Sequence, residues 1–197
     1  MKSWKKCYSV LYRLLCIVAG GAALLTFFCL GYTIWVAVMP ETAFYWEQIG
    51  GSACIKIDGA SVFISNRVPG LAFSAAEGIP PKAAHLWMLG ISLMFSLPLA
   101  FLEFFSIARI LKTLVTGETP FQMCNVRRIR ILGAAMIGSA VLPTVANALA
   151  VSVLSGRVTS VLLTDIFPLA VAGLLVLVLA QVFSYGCALQ QAQDDTV

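Results

Sequence analysis

Residues 14–38 read LLCIVAGGAALLTFFCLGYTIWVAV, a run of 25 residues without a single charge. A helix needs roughly 20 apolar residues to cross a hydrocarbon core about 30 Å thick, so this run is long enough to span a membrane. The apolar region of a cleaved signal peptide is shorter, about 7–15 residues. We therefore interpret the run as a retained transmembrane span.

Three further apolar stretches follow, at residues 85–107, 131–153 and 166–183. The chain is 60% hydrophobic and 11% charged, whereas soluble domains typically carry about 25% charged residues. The four spans leave too few residues for a soluble domain of ordinary size. The sequence therefore predicts an all-α fold, an integral membrane four-helix bundle that forms a single membrane domain over residues 1–197.

Basic residues predict the orientation of the chain, because Lys and Arg near the ends of spans resist translocation. Nine of them precede the first span or lie in the inner loop, residues 108–130. Only four lie in the outer loop, residues 39–84, or in the connection before the last span. Both termini are therefore expected in the cytoplasm, with residues 184–197 as a cytoplasmic tail.

The outer loop carries one local signal for regular structure. Residues 54–57 and 60–65 read as two short strands around Asp58-Gly59, a favoured hairpin turn. An isolated hairpin is marginally stable in water. We therefore expect a partly ordered extracytoplasmic loop with a β-hairpin that rests on the membrane surface or on a partner.

The inner loop carries signals for helix boundaries. Gly117 is suited to end the helix of the second span. Thr119-Pro120-Phe121-Gln122 then offers an N-cap, a first-turn proline and a glutamine three residues after the cap. This pattern predicts a helix that runs into the third span and carries three basic residues, Arg127, Arg128 and Arg130.

Small residues and prolines in the spans predict how the helices pack. Gly20 and Gly21 in the first span would let a neighbouring helix approach closely. Pro98 removes a backbone donor inside the second span and predicts a bend there. The fourth span is almost entirely Leu, Val and Ala, so it is expected to face lipid most.

Two motifs lie in the second half of the chain. One is Gly117-x-x-Pro120-Phe121, followed by Asn125-Val-Arg-Arg-Ile-Arg130. The other is Phe183-x-x-Gly186-x-x-Leu189, continued by Asp194-Asp-Thr-Val197. With these motifs and the order of its spans, nearly the whole chain resembles a family of small bacterial four-span membrane proteins known as a domain of unknown function.

The resemblance implies four helices in the bacterial inner membrane, with no known catalytic activity and no known ligand. Members of that family often look like neighbours of small Xre-type helix-turn-helix regulators, which implies a regulatory pairing. In this sequence Gln190, Gln191 and Gln193 stand where the family usually has charged residues. This departure weakens a charge-based role for the tail.

Glu103 is the only acid inside a span, roughly 6 Å from its inner boundary by helical rise. A carboxylate at that depth needs a cation or a hydrogen-bond donor, and Arg127, Arg128 and Gln181 lie at compatible depths. We expect a structural pair that joins the second and third spans. The alternative is a proton-linked or conformational switch.

The candidate interaction residues belong to the inner loop and the tail: Arg127, Arg128, Arg130, Pro120, Phe121, Asn125 and Gly186. The three arginines either set the orientation alone or bind anionic lipid or an acidic partner surface. Three arginines supply little of the charge that nucleic-acid binding requires, so no direct binding of nucleic acid is expected.

Metal and enzyme chemistry have little support in the sequence. His85 is the only histidine and is expected to lie at the outer membrane interface. The six cysteines lack disulfide or zinc spacing and are interpreted as small apolar residues, with Cys54 alone on the outer side. Common hydrolase, nucleotide-binding and metalloprotease motifs are absent, so we predict a protein that is not an enzyme and uses no cofactor.

Two classes of function stay open. The first is a non-enzymatic membrane protein that binds a cytoplasmic regulator or a membrane partner through its inner loop and tail. The second is a small transporter, channel or export component, formed as a homo-oligomer and proton-linked through Glu103. An intramembrane enzyme ranks third, because no nucleophile has a neighbouring base.

Overall fold

The computed structural model describes residues 2–49, 52–58, 66–72, 76, 78–116, 122–156 and 163–194. Within them, four helical segments are long and apolar enough to cross a membrane. These segments are α1 (Lys2–Val38), α2 (Pro81–Ile91) with its continuation α3 (Leu97–Thr116), α4 (Met123–Ser155) and α5 (Leu163–Asp194). The prediction of an all-α, four-helix membrane fold is confirmed, and each predicted span lies inside one of the four segments.

The helices follow one another in a row within the bundle. Extensive interfaces join α1 to α3, α3 to α4, and α4 to α5. The outer surfaces of the row expose large apolar side chains, such as Phe27 on α1 (73% exposed) and Leu175 on α5 (61% exposed). Lipid tails are as apolar as these side chains, so such exposure is expected of helices that face a bilayer.

The closest helix contact joins α4 to α5 through two facing glycines. A Cβ atom added to Gly133 would lie 2.8 Å from Leu177 Cγ and 2.9 Å from the carbonyl oxygen of Gly173. A Cβ atom added to Gly173 would lie 2.8 Å from Ile137 Cγ1. The fourth span therefore packs tightly on the third along one face, in addition to the lipid-facing surface that its composition predicts.

The glycines of α1 do not have the role that the sequence predicts. A Cβ atom added to Gly20 or Gly21 would meet no atom within 4 Å. Neighbouring Ala19 is the buried residue of this stretch, at 6% exposure. Within this chain, therefore, no other helix approaches α1 closely at its paired glycines.

Pro98 affects its helix by widening one turn of it. Residues Ser92–Ser96 form a π turn between α2 and α3, and the backbone N–H of Leu97 donates to the carbonyl of Ser92. Proline has no N–H and its ring crowds the carbonyl four residues earlier, which strains a regular α-helix. The π turn inserts one extra residue just before the proline, and so accommodates it.

The outer loop contains a three-stranded antiparallel sheet in the order β1-β2-β3. The strands are β1 (Phe44–Ile49), β2 (Ser52–Ile57) and β3 (Asn66–Ala72). The predicted strand 54–57 is confirmed as part of β2, whereas its predicted partner 60–65 lies outside the described residues. Strand β1 was not predicted, although Gly50-Gly51 after it is a typical dipeptide of two-residue hairpin loops.

The sheet packs on the helices of its own chain. Phe44, Ile55 and Ile57 are buried together with Val36 of α1, Ala84 of α2 and Val151 of α4.

Hydrogen bonds also hold the outer loop to the helices. The Trp46 indole donates to the carbonyl of Ile79 over 2.9 Å. The ammonium of Lys82 donates to the carbonyls of Ala37 and Met39, over 2.9 and 2.6 Å, and so caps the end of α1. The loop therefore has support from its own helices, which the sequence did not predict, whereas support from the membrane surface or a partner stays a prediction.

His85 and Cys54 both belong to this buried region. His85 is 0% exposed, and its Nε2 atom lies 3.3 Å from the Tyr32 hydroxyl. Its ring also lies against Phe44, with ring centroids 6.1 Å apart. Cys54, on the outer loop, is 3% exposed. The sequence did not predict this burial of His85, which arises because the sheet covers that edge of α2.

Candidate functional site at the basic end of the helices

The end of the bundle opposite the sheet is its basic end. It comprises the start of α1, the end of α3, the start of α4 and the end of α5. The basic residues there whose side chains are described are Arg13, Arg109, Lys112, Arg127, Arg128 and Arg130. Those candidate interaction residues that the structure describes also belong to this end: Asn125, Arg127, Arg128, Arg130 and Gly186. The basic end is therefore the candidate binding site.

Helix α4 begins later than the sequence predicts. Gln122 is its N-cap, with extended backbone angles, and the carbonyl of Gln122 accepts from the backbone N–H groups of Asn125 and Val126. The predicted capping box placed Gln122 inside the first turn, so that prediction is wrong by three residues. Pro120 and Phe121 lie outside the described residues. The prediction that the arginine segment is continuous with the third span is confirmed, since α4 is unbroken from Met123 to Ser155.

Asn125 lies at the centre of a polar clamp between α3 and α4. It is 2% exposed, and its Nδ2 atom donates to Thr113 Oγ1 over 3.1 Å. Its Oδ1 atom accepts from Arg128 Nη1 over 3.0 Å, and the same Nη1 donates to the carbonyl of Arg109 over 3.2 Å. These bonds satisfy buried polar groups and fix the end of α3 against the start of α4.

The clamp divides the predicted interaction residues into two groups. Asn125 and Arg128 form contacts within the chain, and Arg128 is half-buried. Arg127 and Arg130 are exposed, on the outer side of α4. Only the second pair is therefore fully available to lipid headgroups or to an acidic partner surface.

A small cavity of about 160 Å³ opens beside the clamp. It is lined by Arg109, Lys112, Thr113, Thr116 and Arg128. The hydroxyl of Thr113 donates to the carbonyl of Ile110 over 2.7 Å, and that of Thr116 donates to backbone carbonyls of α3. Both hydroxyl hydrogens are used within the helix, so neither threonine donates to an anion in the cavity. The groups of the cavity that can bind an anion are its cationic side chains.

Helix α5 extends past the start of α4. Gly133 contacts Gly173 and Leu177, while Ile137 contacts Gly173, which shows that the two helices are antiparallel. Gly133 is ten residues from the start of α4, whereas Gly173 is 21 residues from the end of α5. At 1.5 Å per residue, α5 projects about 16 Å beyond α4. The predicted tail 184–197 is therefore a continuation of α5 as far as Asp194.

The projecting part of α5 has one exposed apolar face and one buried face. Tyr185 and Leu189 are 65% and 72% exposed, and their spacing of four places them on the same side of the helix. Cys187, on the other side, is 3% exposed. Gly186, a predicted interaction residue, is half-buried and lies between the exposed face and the buried face.

Glu103 pairs with a residue that the sequence did not indicate. Its Oε1 atom accepts a hydrogen bond from Ser139 Oγ on α4 over 2.7 Å. Among the described residues, Glu103 forms no hydrogen bond or salt bridge with the predicted partners Arg127, Arg128 and Gln181. The predicted joining of the second and third spans is present. Nothing in the spacing of Ser139 marks it as the partner, because it is one of many small residues in α4.

The described ranges hold no group of three or more His, Cys, Asp or Glu side chains that could bind a metal ion. None of the six cysteines, all of which are described, is paired in a disulfide. The predictions that the protein is not an enzyme and uses no cofactor stay predictions.

Comparison with known proteins gives one match. A family model described as a protein of unknown function, DUF2975, matches residues 70–197, from strand β3 to the C-terminal residue. This match covers about two thirds of the chain, whereas the predicted resemblance extended over nearly the whole length. The two motifs of the second half lie within the matched residues, and their assignment to the family stays a prediction. No curated protein and no solved structure matches the chain.

Proposed function

The chain belongs to the DUF2975 family of proteins of unknown function, and from that premise we propose that it is a non-enzymatic membrane protein that binds a protein partner at its basic end. In this proposal the chain lies in the bacterial inner membrane with both termini in the cytoplasm. The excess of Lys and Arg at the basic end supports that orientation. The partner would then be a cytoplasmic protein, and a helix-turn-helix regulator is the class that the family resemblance suggests.

The exposed apolar face of α5, Tyr185 and Leu189, is the observation that carries the proposal. The start of α4, with its arginines, marks the depth of the headgroups, and both residues lie past it on the projecting part of α5. Apolar side chains that are 65% and 72% exposed beyond the hydrocarbon core need a cover other than lipid tails. An apolar groove on a partner would bury them in the manner of a helix-in-groove complex.

The proposal is tested by a photo-crosslinking amino acid at Leu189 in intact cells. The matched control is the same amino acid at Leu175, which is 61% exposed on the same helix but lies inside the span predicted from the sequence, residues 166–183. We expect one adduct of defined mass at Leu189 and none with a soluble protein at Leu175. Replacing Tyr185 by Ser should then reduce the yield at Leu189, because it shortens the apolar face.

Two outcomes would contradict this function. Equal yields of the same adduct at Leu189 and Leu175 would mean that the reagent labels any protein nearby and does not identify a binding face. Adducts with twice the mass of the chain, and no others, would identify a second copy as the occupant and would favour a homo-oligomer over a cytoplasmic partner.

A second candidate function, a small proton-linked transporter, is supported by one observation. Glu103 is a carboxylate within a span, half-buried, and is held by the hydroxyl of a neighbouring helix. Intramembrane acids of this kind often belong to ion or proton pathways. A flux in reconstituted vesicles that disappears in Glu103→Gln but persists in Ser139→Ala would favour it, whereas identical behaviour of Glu103→Gln and the natural protein would exclude it.

A further inference from the structure

A groove of about 430 Å³ separates the faces of α1 and α3 near the basic end. Small residues make it concave: Ala19 and Gly20 on α1, and Ala108 on α3. Phe101 and Phe105 form its other wall, with ring centroids 5.6 Å apart and nearly parallel planes. Tyr12 and Cys16 complete the α1 side, so the groove is predominantly apolar away from the basic end.

The position of the groove limits what can enter it. Both α1 and the α2–α3 segment are candidate membrane spans, and the lining residues lie within those spans, with Arg109 and Lys112 at the end of the second. Side chains that flank the groove on α1, such as Ile17, are 69% exposed and would face hydrocarbon. An occupant that enters sideways from the bilayer must consequently have an apolar part.

One end of the groove is cationic. Arg109 and Lys112 line both this groove and the small cavity beside the clamp, so the two spaces share a wall. The Arg109 guanidinium lies 5.1 Å from the centroid of the Phe105 ring, which keeps it at the junction of the apolar and polar parts. Among the described residues, neither cation forms a salt bridge with a carboxylate.

We propose that this groove binds one anionic phospholipid of the leaflet at the basic end. Its phosphate lies at Arg109 and Lys112, and one acyl chain lies along Ala19, Gly20 and Phe101. The charged and apolar parts of the site follow the same order as those of the lipid: its cations lie at headgroup depth, and its apolar surface lies toward the bilayer centre. The proposal is independent of partner binding at α5, because the two sites share no residue.

The same features argue for a lipid rather than a free phosphate. Arg128 is engaged with Asn125 and with the carbonyl of Arg109, and both threonine hydroxyls donate within α3. Two cations at an open surface hold a small anion weakly. The apolar groove next to them supplies the rest of the binding free energy only to a molecule with a hydrocarbon chain.

Native mass spectrometry of the purified full chain tests the proposal, with phosphatidylglycerol as the anionic lipid and phosphatidylcholine as its neutral counterpart. We expect one tightly retained phosphatidylglycerol per chain. The double variant Arg109→Gln with Lys112→Gln should weaken its retention by about tenfold or more, since each basic residue near a headgroup contributes about 1 kcal/mol. The matched control, Arg127→Gln with Arg130→Gln, removes the same charge outside the groove and should retain the lipid.

A second variant tests the acyl-chain part with both cations intact. A side chain at Gly20 would project into open space, because a Cβ atom there meets nothing within 4 Å, so Gly20→Leu should fold and fill the groove. We expect it to lose phosphatidylglycerol as the double variant does, while Arg109→Lys retains it. Equal loss in the Arg127 and Arg130 control, unchanged binding in Gly20→Leu, or displacement of the lipid by inorganic phosphate would each overturn the proposal.

Discussion

Asn125 Nδ2 donates to Thr113 Oγ1 over 3.1 Å, and this bond joins the first turn of α4 to the last turn of α3. The two residues are only 12 positions apart, so the bond closes the inner loop that connects the second and third spans. It also orients Arg128 through Asn125 Oδ1. The arrangement of the basic end therefore depends on one buried amide.

Replacing Asn125 by Leu should destabilise the protein by about 1–3 kcal/mol, because it leaves buried polar partners without their hydrogen bonds. The measurement is unfolding of the purified protein in mixed micelles with increasing SDS. Arg127→Ala is the matched control, since Arg127 is exposed and in the same turn, and its effect should stay within about 0.5 kcal/mol. Equal effects of the two changes would contradict the clamp.

Gly133→Ala should also destabilise the protein, by about 1–3 kcal/mol, because the added methyl overlaps Leu177 and the carbonyl oxygen of Gly173. The control is Gly20→Ala on α1, where a Cβ atom meets nothing within 4 Å. That control should be neutral or stabilising, since Ala favours a helix over Gly by about 1 kcal/mol. The same unfolding measurement distinguishes the two, and a stable Gly133→Ala would mean that α4 and α5 are farther apart.

Cys54 should react slowly with an impermeant thiol reagent added to intact cells, although it lies in the outer loop, because its side chain is 3% exposed. Asp58→Cys, at an exposed turn only four residues later, should react rapidly in a background without the exposed Cys7, Cys16 and Cys124. Mass spectrometry of the labelled protein measures both rates. Protection of the Asp58→Cys thiol until the cells are opened would reverse the proposed orientation.

Lys56 should titrate above the usual lysine value. Its Nζ atom lies 3.2 Å from Glu47 Oε1 across β1 and β2, and the hydrogen bond and charge of Glu47 raise the pKa of Lys56 above 10.5. A raised pKa in the folded state means that the pair stabilises the sheet below pH 10.5 and that this contribution is lost as the pH rises through the folded value.

Carbon-13 NMR of the Lys56 side chain checks this prediction. Glu47→Gln should return the pKa of Lys56 toward 10.5, because it removes the carboxylate while keeping the size of the side chain. The stability of the sheet should change little, since both side chains are about 40% exposed and exposed ion pairs contribute little. An unchanged titration in Glu47→Gln would show that the pair does not form in solution.

The sequence predicted the membrane helices well because one physical constraint dominates them. Hydrocarbon contains no water, so a spanning segment must satisfy its own backbone hydrogen bonds as a helix. Residues 14–38 show this constraint as uninterrupted apolar character, and α1 contains the whole run. Length and hydropathy are local properties, and they are sufficient here.

Residues whose environment depends on distant parts of the chain were predicted poorly. His85 is buried because β1 brings Phe44 against it, and no local pattern around His85 carries that information. Ser139 and Glu103 are 36 positions apart, and their bond depends on the relative rotation of two helices. The Asn125–Arg128 contact is different: a spacing of three on one helix face could have indicated it.

The presence of Val151 in the buried region beneath the sheet has a consequence for biogenesis. Strands β1 and β2 leave the ribosome about a hundred residues before Val151, the α4 residue against which their core closes. Since chains emerge at about 5–20 residues per second, we expect the sheet to wait several seconds with its apolar side uncovered. In the proposed orientation, the half-made protein would be a substrate for periplasmic chaperones during that interval, and a ribosome stalled before residue 151 would expose it longest.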